Sequence, residues 1–362
     1  MRPDATDAKP LPLSEVREIA ETIRRAVARR IVGLEPVVEQ ILISIVSGGH
    51  SLLVGVPGLA KTLLVRTIAE LTGLEFNRIQ FTPDLMPSDI TGTEVITDDD
   101  ATGERGFRFL KGPIFANVLL ADEINRTPPK TQAALMEAME ELQVTSIGRR
   151  HKIEPPFIVL ATQNPIEQEG TYPLPAAQLD RFLLEIRLDY PDADSERRIA
   201  GLVSRSEPHS VVPVLDRSRF LSLAAAVRSV PLPETVAEYA LSLVRATRPE
   251  SLSATELTRE WVTWGAGPRA GQALAMAARA RAVLSGRPAA TIADVRAVAL
   301  PALRHRLVLN FHAEAEAFTT EEFVRRLLAE KPDPDAPEVP ARASLLDRVL
   351  GGLGGRRGAR AR

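Results

Sequence analysis

The chain has 362 residues, a formal net charge of −2, 44% hydrophobic and 25% charged residues, and no cysteine. That is the composition of a soluble globular protein with room for two or three domains, and it excludes disulfides, thiol catalysis and thiolate zinc sites. The longest clean aliphatic run, Ile41–Val46, is far short of the ~20 residues a membrane span needs. With no signal pattern at the N-terminus, a cytoplasmic location without a membrane span is expected.

Residues 1–12 are polar and proline-rich and read as disordered. Val16, Ile19, Ile23 and Val27 then recur at helical spacing, with Ser14 as a candidate cap. Ile31-Val32-Gly33 breaks this helix, and Glu35–Val46 forms a second. Leu52-Leu53-Val54 reads as a buried strand running into a Gly/Pro loop, and Leu63–Leu71 as the helix after it. Val118–Ala121, Phe157–Ala161 and Phe182–Leu188 are further short apolar runs. Strands alternating with helices predict an α/β fold with a parallel sheet covered on both faces. Thr91–Gly112 and Val144–Ile153 read as hairpins inserted into that core. Beyond Tyr190-Pro191 the pattern is helical throughout: Ser195–Val203, Ser218–Val230, Pro233–Ala246, Pro268–Leu284, Ile292–Leu303 and Thr319–Glu330, the last opening on a Thr319-x-x-Glu322 capping box. The expected organisation is an α/β core over 13–190, a helical domain over 191–330, and a linker and tail over 331–362.

Charge is unevenly placed. Arg342–Arg362 carry a net +5, which leaves −7 on the other 341 residues. The acidic body argues against nucleic-acid binding by the whole surface. The tail reads as a solvated end, or as a contact for an acidic partner, nucleic acid or lipid. The five histidines, at 50, 151, 209, 305 and 312, show no metal spacing. Trp261 and Trp264 read as packing residues.

The chemistry concentrates in three segments. Gly55-Val56-Pro57-Gly58-Leu59-Ala60-Lys61-Thr62 lies between a buried strand and a helix, the required context for a phosphate-binding loop. Backbone N–H groups of the loop and the helix N-terminus would face the phosphates of ATP, Lys61 would add a point charge, and Thr62 a hydroxyl for Mg²⁺. Ala60 stands where the motif has its second glycine, so position 60 must hold a conformation that alanine accepts. Val118–Ala121 delivers Asp122 and Glu123 to the carboxyl edge of the sheet. Asp122 would hold Mg²⁺ through water, and Glu123 would orient or deprotonate the attacking water. Phe157–Ala161 runs into Thr162-Gln163-Asn164-Pro165, where Asn164 is a candidate for fixing that water; an Asn-Pro turn is a compatible reading.

GVPGLAKT, LLADEINRTPPKTQAALMEAMEE and ATQNPIEQEGTYPLPAAQLDRF together resemble the MoxR family of AAA+ ATPases, from about Ile31 to about Leu303. The resemblance implies an AAA+ P-loop core with inserted hairpins, followed by an all-helical lid domain. It implies adenine contact at Val32-Gly33, sensor 1 at Asn164, an arginine finger at Arg181, and sensor 2 at Arg269, with Arg126 an alternative trans-acting arginine. Gly267 stands where the family usually has serine. The resemblance further implies a homo-oligomer, a hexameric ring with both hairpins near its pore, that remodels or activates protein partners, among them von Willebrand factor A domain proteins receiving a metal or cofactor. A nucleic-acid motor and a nucleotide-gated binding module without turnover are the alternatives.

Overall fold

The computed structural model describes residues 8–98, 105–146, 148–167, 169–202 and 211–334. Residues 1–7, within the N-terminus expected to be disordered, the tail beyond 334, His209, residues 99–104 and Ile147 lie outside them.

Two helices lead, α1 (Leu13–Ala28) and α2 (Glu35–Val46), followed by β1 (Ser51–Gly55), α3 (Lys61–Leu71) and β2 (Phe76–Gln80). Helix α1 starts on Pro12 with no side-chain cap, so Ser14 does not cap it; a fixed proline φ serves at the start instead. A short α4 (Pro87–Thr91) introduces the antiparallel hairpin β3 (Gly92–Asp98) and β4 (Arg105–Lys111). Then come β5 (Val118–Asp122), α5 (Pro129–Glu141), the hairpin β6 (Gln143–Ser146) and β7 (Arg149–Lys152), β8 (Ile158–Gln163), α6 (Ala176–Leu179) and β9 (Leu184–Leu188). Both inserted hairpins are as the sequence predicts. Phe109 of β4 stacks on His151 of β7, with ring centroids 3.6 Å apart, which ties the two together.

The five-stranded parallel sheet has the order β2-β5-β8-β1-β9. Apart from the edge strand β2, its strands are largely buried on both faces. Leu53, Leu120, Leu160 and Ile186 face the α1–α3 side, whereas Leu52, Leu119, Val159 and Phe81 join the core on the α5 side, the period-two alternation of a pleated strand.

After β9 the chain continues as α7 (Ala193–Leu202), α8 (Arg217–Ser229), α9 (Glu234–Ala246), α10 (Glu256–Trp261), β10 (Val262–Trp264), α11 (Pro268–Leu284), α12 (Ile292–Leu303), β11 (Val308–Leu309), α13 (Phe311–Ala315) and α14 (Thr320–Glu330). The region is helical but not wholly so: β10 and β11 pair antiparallel. Trp261 is buried, while Trp264 on β10 is exposed rather than packed. Thr319 caps α14 through the Glu322 amide. The core on the α1–α3 face runs without a break into this region, joining Val16, Ile23 and Ile41 to Leu243, Leu274 and Ala277. No helix among the described residues is long and apolar enough to cross a membrane.

Candidate functional site

The loop Gly55–Thr62 leaves the carboxyl end of β1, a central strand, and enters α3 at Lys61. Gly58 turns the loop at φ +85°, a conformation that favours glycine. Ala60, in the second-glycine position, also adopts the left-handed region, at φ 53° and ψ 24°. Alanine therefore occupies the conformation it tolerates poorly, within the small left-handed well open to L-residues and at a cost of about 1–2 kcal/mol. The Lys61 ammonium donates to the Gly55 carbonyl at the far end of the loop. Burial pushes its pKa below the ordinary lysine value, and the charges of Asp122 and Glu123 pull it part of the way back. Both carboxylates thus act on Lys61, and the strand end faces the loop.

Around Asp122 and Glu123 the polar contacts form a closed set. Thr162 on β8 donates from Oγ1 to Asp122 Oδ1 at 2.6 Å and accepts from the Glu123 N–H at 2.9 Å. The Arg78 guanidinium donates to Asp122 Oδ2 from Nε at 3.0 Å and from Nη2 at 2.7 Å. Gln80 accepts from Arg78 and donates to Glu123 Oε2 at 3.0 Å. Arg126 pairs with Glu123 at 3.2 Å and with Glu167 at 3.0 Å within the same chain. Asn164, after β8, is buried and accepts from the Ile166 amide at 3.2 Å, so its carbonyl makes the Asn-Pro turn.

Val32 is buried, and Gly33 lies against the start of α7: at φ +79°, a Cβ there would meet Ser195 at 2.9 Å. Thr62 and Asp122 offer hard oxygen donors, and no group of three His, Cys, Asp or Glu side chains able to hold a metal occurs among the described residues. Few protein oxygens, with the rest of the shell left to phosphates and water, is a donor set that fits Mg²⁺.

Arg181 and Arg269 are elsewhere. Both pair with one carboxylate, Glu140: Arg181 Nη2 lies 3.0 Å from Oε2 and Arg269 Nη2 lies 2.6 Å from Oε1. These residues line a cavity of about 480 Å³ together with Gly49, His50 and Arg306. Gly49 and His50 precede β1, so this cavity opens at the amino edge of the sheet, about 15 Å of strand away from the chain's own phosphate loop. Arg306 holds the approach to Arg181: it pairs with Asp180 at 2.8 Å and donates to the Phe182 carbonyl at 2.6 Å. His305 Nε2 also donates to Phe182 O, at 3.1 Å.

Lys61, Thr62, Asp122 and Glu123, picked out in the sequence, thus converge on one edge, while Arg181 and Arg269 converge on the other. Sequence reasoning missed Arg78, Gln80, Thr162 and Glu140. The Thr162-Gln163-Asn164 strand end offered a signal for Thr162; nothing local marked the rest.

Residues 50–184 match the ATPase family associated with various cellular activities (AAA), and residues 254–327 match the AAA lid domain. The chain is 42% identical over 333 residues to Chaperone MoxR1 of Mycobacterium tuberculosis, covering 91% of this chain and 87% of that protein. It is 40% identical to YeaC of Bacillus subtilis, covering 88% of this chain and 94% of that protein. A crystal structure of a candidate ATPase from Cytophaga hutchinsonii superposes with a TM-score of 0.81 at 40% identity, over 88% of this chain and 96% of that one. With the parallel sheet, the phosphate loop at its carboxyl edge and the helical lid behind it, the chain belongs to the MoxR family of AAA+ ATPases.

Proposed function

We propose that this chain hydrolyses Mg²⁺–ATP at the carboxyl edge of its sheet and does so in a head-to-tail homo-oligomer, a six-membered ring. The observation that carries the reading is the division of the site. Lys61, Thr62, Asp122 and Glu123 stand at one edge, and two arginines fit to stabilise a phosphoryl transition state stand at the other. Val32-Gly33 receives the adenine. Lys61 and the amide N–H groups of Gly55, Val56, Gly58, Leu59, Ala60 and Thr62 bind the phosphates, with Pro57, which has no N–H, shaping the loop. Thr62, and Asp122 through water, would hold Mg²⁺, which would neutralise phosphate charge. Glu123 takes the proton of the attacking water, and Asn164 orients that water. Arg181 and Arg269 of the next subunit complete the site. Such an interface is heterologous and closes as a ring or continues as a helix.

The energy released is used to remodel a protein partner. The name carried by the M. tuberculosis relative supports this, and von Willebrand factor A domain proteins are the partner class to try first. Turnover measured across a dilution series tests the reading. The rate per subunit is expected to collapse as the assembly dissociates, and a rate independent of concentration would overturn the shared site.

A nucleic-acid motor is the second reading. One observation favours it: Arg149, Arg150 and Lys152 on β7 are exposed. Stimulation of the ATPase by DNA at physiological salt would support it; indifference to DNA leaves the protein remodeller.

A further inference from the structure

Two adjacent carboxylates at a strand end pose a geometric problem. Successive residues of a strand point to opposite faces, so Asp122 and Glu123 cannot both serve the phosphate loop if the backbone continues extended. Yet both act on Lys61. The chain leaves the strand at Glu123, whose φ of 57° and ψ of 49° lie in the left-handed region. A glutamate pays for that conformation, and it persists only where the surroundings hold it.

The Arg126 N–H donates to the Glu123 carbonyl, and the Glu123 N–H is held by one hydroxyl. Thr162 sits on β8, the neighbour of β5, and is 1% exposed. Its Oγ1 accepts from the Glu123 N–H at 2.9 Å, which pins the left-handed turn, and donates to Asp122 Oδ1 at 2.6 Å, which fixes the rotation of that carboxylate. Asp122 Oδ2 is already taken by Arg78, so the two ends of the Asp122 carboxylate are held by different strands. Arg78 and Gln80 reach from Asp122 to the Glu123 side chain in two steps, whereas Thr162 bonds Asp122 and the Glu123 backbone directly.

We propose that Thr162 is a positioning residue for ATP hydrolysis: its hydroxyl sets the metal-side carboxylate and the water-side carboxylate in register with each other. This rests on the reading of Asp122 and Glu123 given above.

Thr162→Val tests it. Valine keeps the β-branched shape that suits a strand and removes only the hydroxyl, leaving the Glu123 N–H and Asp122 Oδ1 without their partner. The expected result is a kcat lowered about 10–100-fold, the usual cost of losing an outer-shell partner of a metal-side ligand. The KM for ATP and the ATP-dependent rise in melting temperature are retained, and the Mg²⁺ concentration for half-maximal rate is raised. Thr162→Ser, which restores the hydroxyl, is expected to bring kcat back to within about threefold of the parent. Amide hydrogen exchange of the peptide containing Glu123 is expected to quicken in the valine variant and not in the serine variant. That readout stands whether or not the variant turns over.

Parental turnover by Thr162→Val would overturn the proposal. So would equal loss in both variants, which marks a packing role, or unchanged exchange at Glu123. Glu123→Gln in parallel separates the two levels of inference. If that variant hydrolyses at the parental rate, the site reading has failed; if it is slow while Thr162→Val is not, only the role of Thr162 has failed.

Discussion

The two edges of the parallel sheet are unlike in kind. The carboxyl edge carries a phosphate loop, a lysine and two carboxylates woven to Arg78, Gln80, Arg126 and Thr162. The amino edge carries two arginines sharing one glutamate and no phosphate loop. Each has what the other lacks: under the proposed function the first would bind a triphosphate and its water, and the second would supply cations for charge that develops on the γ-phosphate. About 15 Å of β1 separates them, so no side chain bridges them within one molecule. On the proposed reading, such a chain contributes half of each of two sites, and assembly would complete them.

Four experiments break or sharpen that contrast. Lys61→Ala should abolish ATP binding, read as loss of the ATP-dependent rise in melting temperature that ligand linkage requires; a full rise in the variant would dissolve the identity of the carboxyl edge. Arg181→Ala should keep that rise yet lose about 10³–10⁵ in turnover, the scale of an arginine supplied in trans. Mixing it with Lys61→Ala should recover part of the rate, since one mixed interface then joins an intact phosphate loop to an intact arginine. Recovery would be absent if the arginines served their own chain. Glu123→Gln should bind ATP and turn over about 10²–10⁴-fold slower, the contribution of a general base.

The smallest effect belongs to the amino edge. Burial, followed by the charges of Arg306 and Arg304, holds the His305 imidazole well below its ordinary pKa. Below pH about 6.5 the unfolded chain therefore binds a proton that the folded chain refuses, and stability falls with pH by up to about 1.4 kcal/mol per unit. His305→Gln should flatten the melting temperature between pH 7 and 5.5 by that contribution. An unchanged slope would show that the folded chain accepts the His305 proton as readily as the unfolded chain does.

Much of this was legible in the sequence where local chemistry dictates the structure. The phosphate loop, Asp122-Glu123, both hairpins and α2, α11 and α12 stand at or within a residue or two of the positions read from motif and periodicity. What escaped has a common cause. Strand β2 is an edge strand, Phe76-Asn77-Arg78-Ile79-Gln80, in which only Ile79 is fully buried; it carries too little apolar pattern to be seen, and Arg78 and Gln80 went with it. The pair β10–β11 is short and joins residues far apart in sequence. Arg269 meets Glu140 across 129 positions, a contact that no local rule contains. Ala60 was read correctly as anomalous, but its backbone angle could be found only in the fold.

The unbroken core that joins α1 and α2 to α11 and its neighbours has a mechanical meaning. The boundary at 190/191, drawn from the change of sequence pattern, separates two regions, yet the apolar side chains on the α1–α3 face of the sheet and in the helices beyond it form one core. Calorimetry should see a single cooperative melt, and a polypeptide cut at that boundary should yield two sticky, unstable pieces. A stroke powered at the phosphate loop would then be felt by the lid helices directly through packed side chains, as the turning of a handle is felt along a solid shaft.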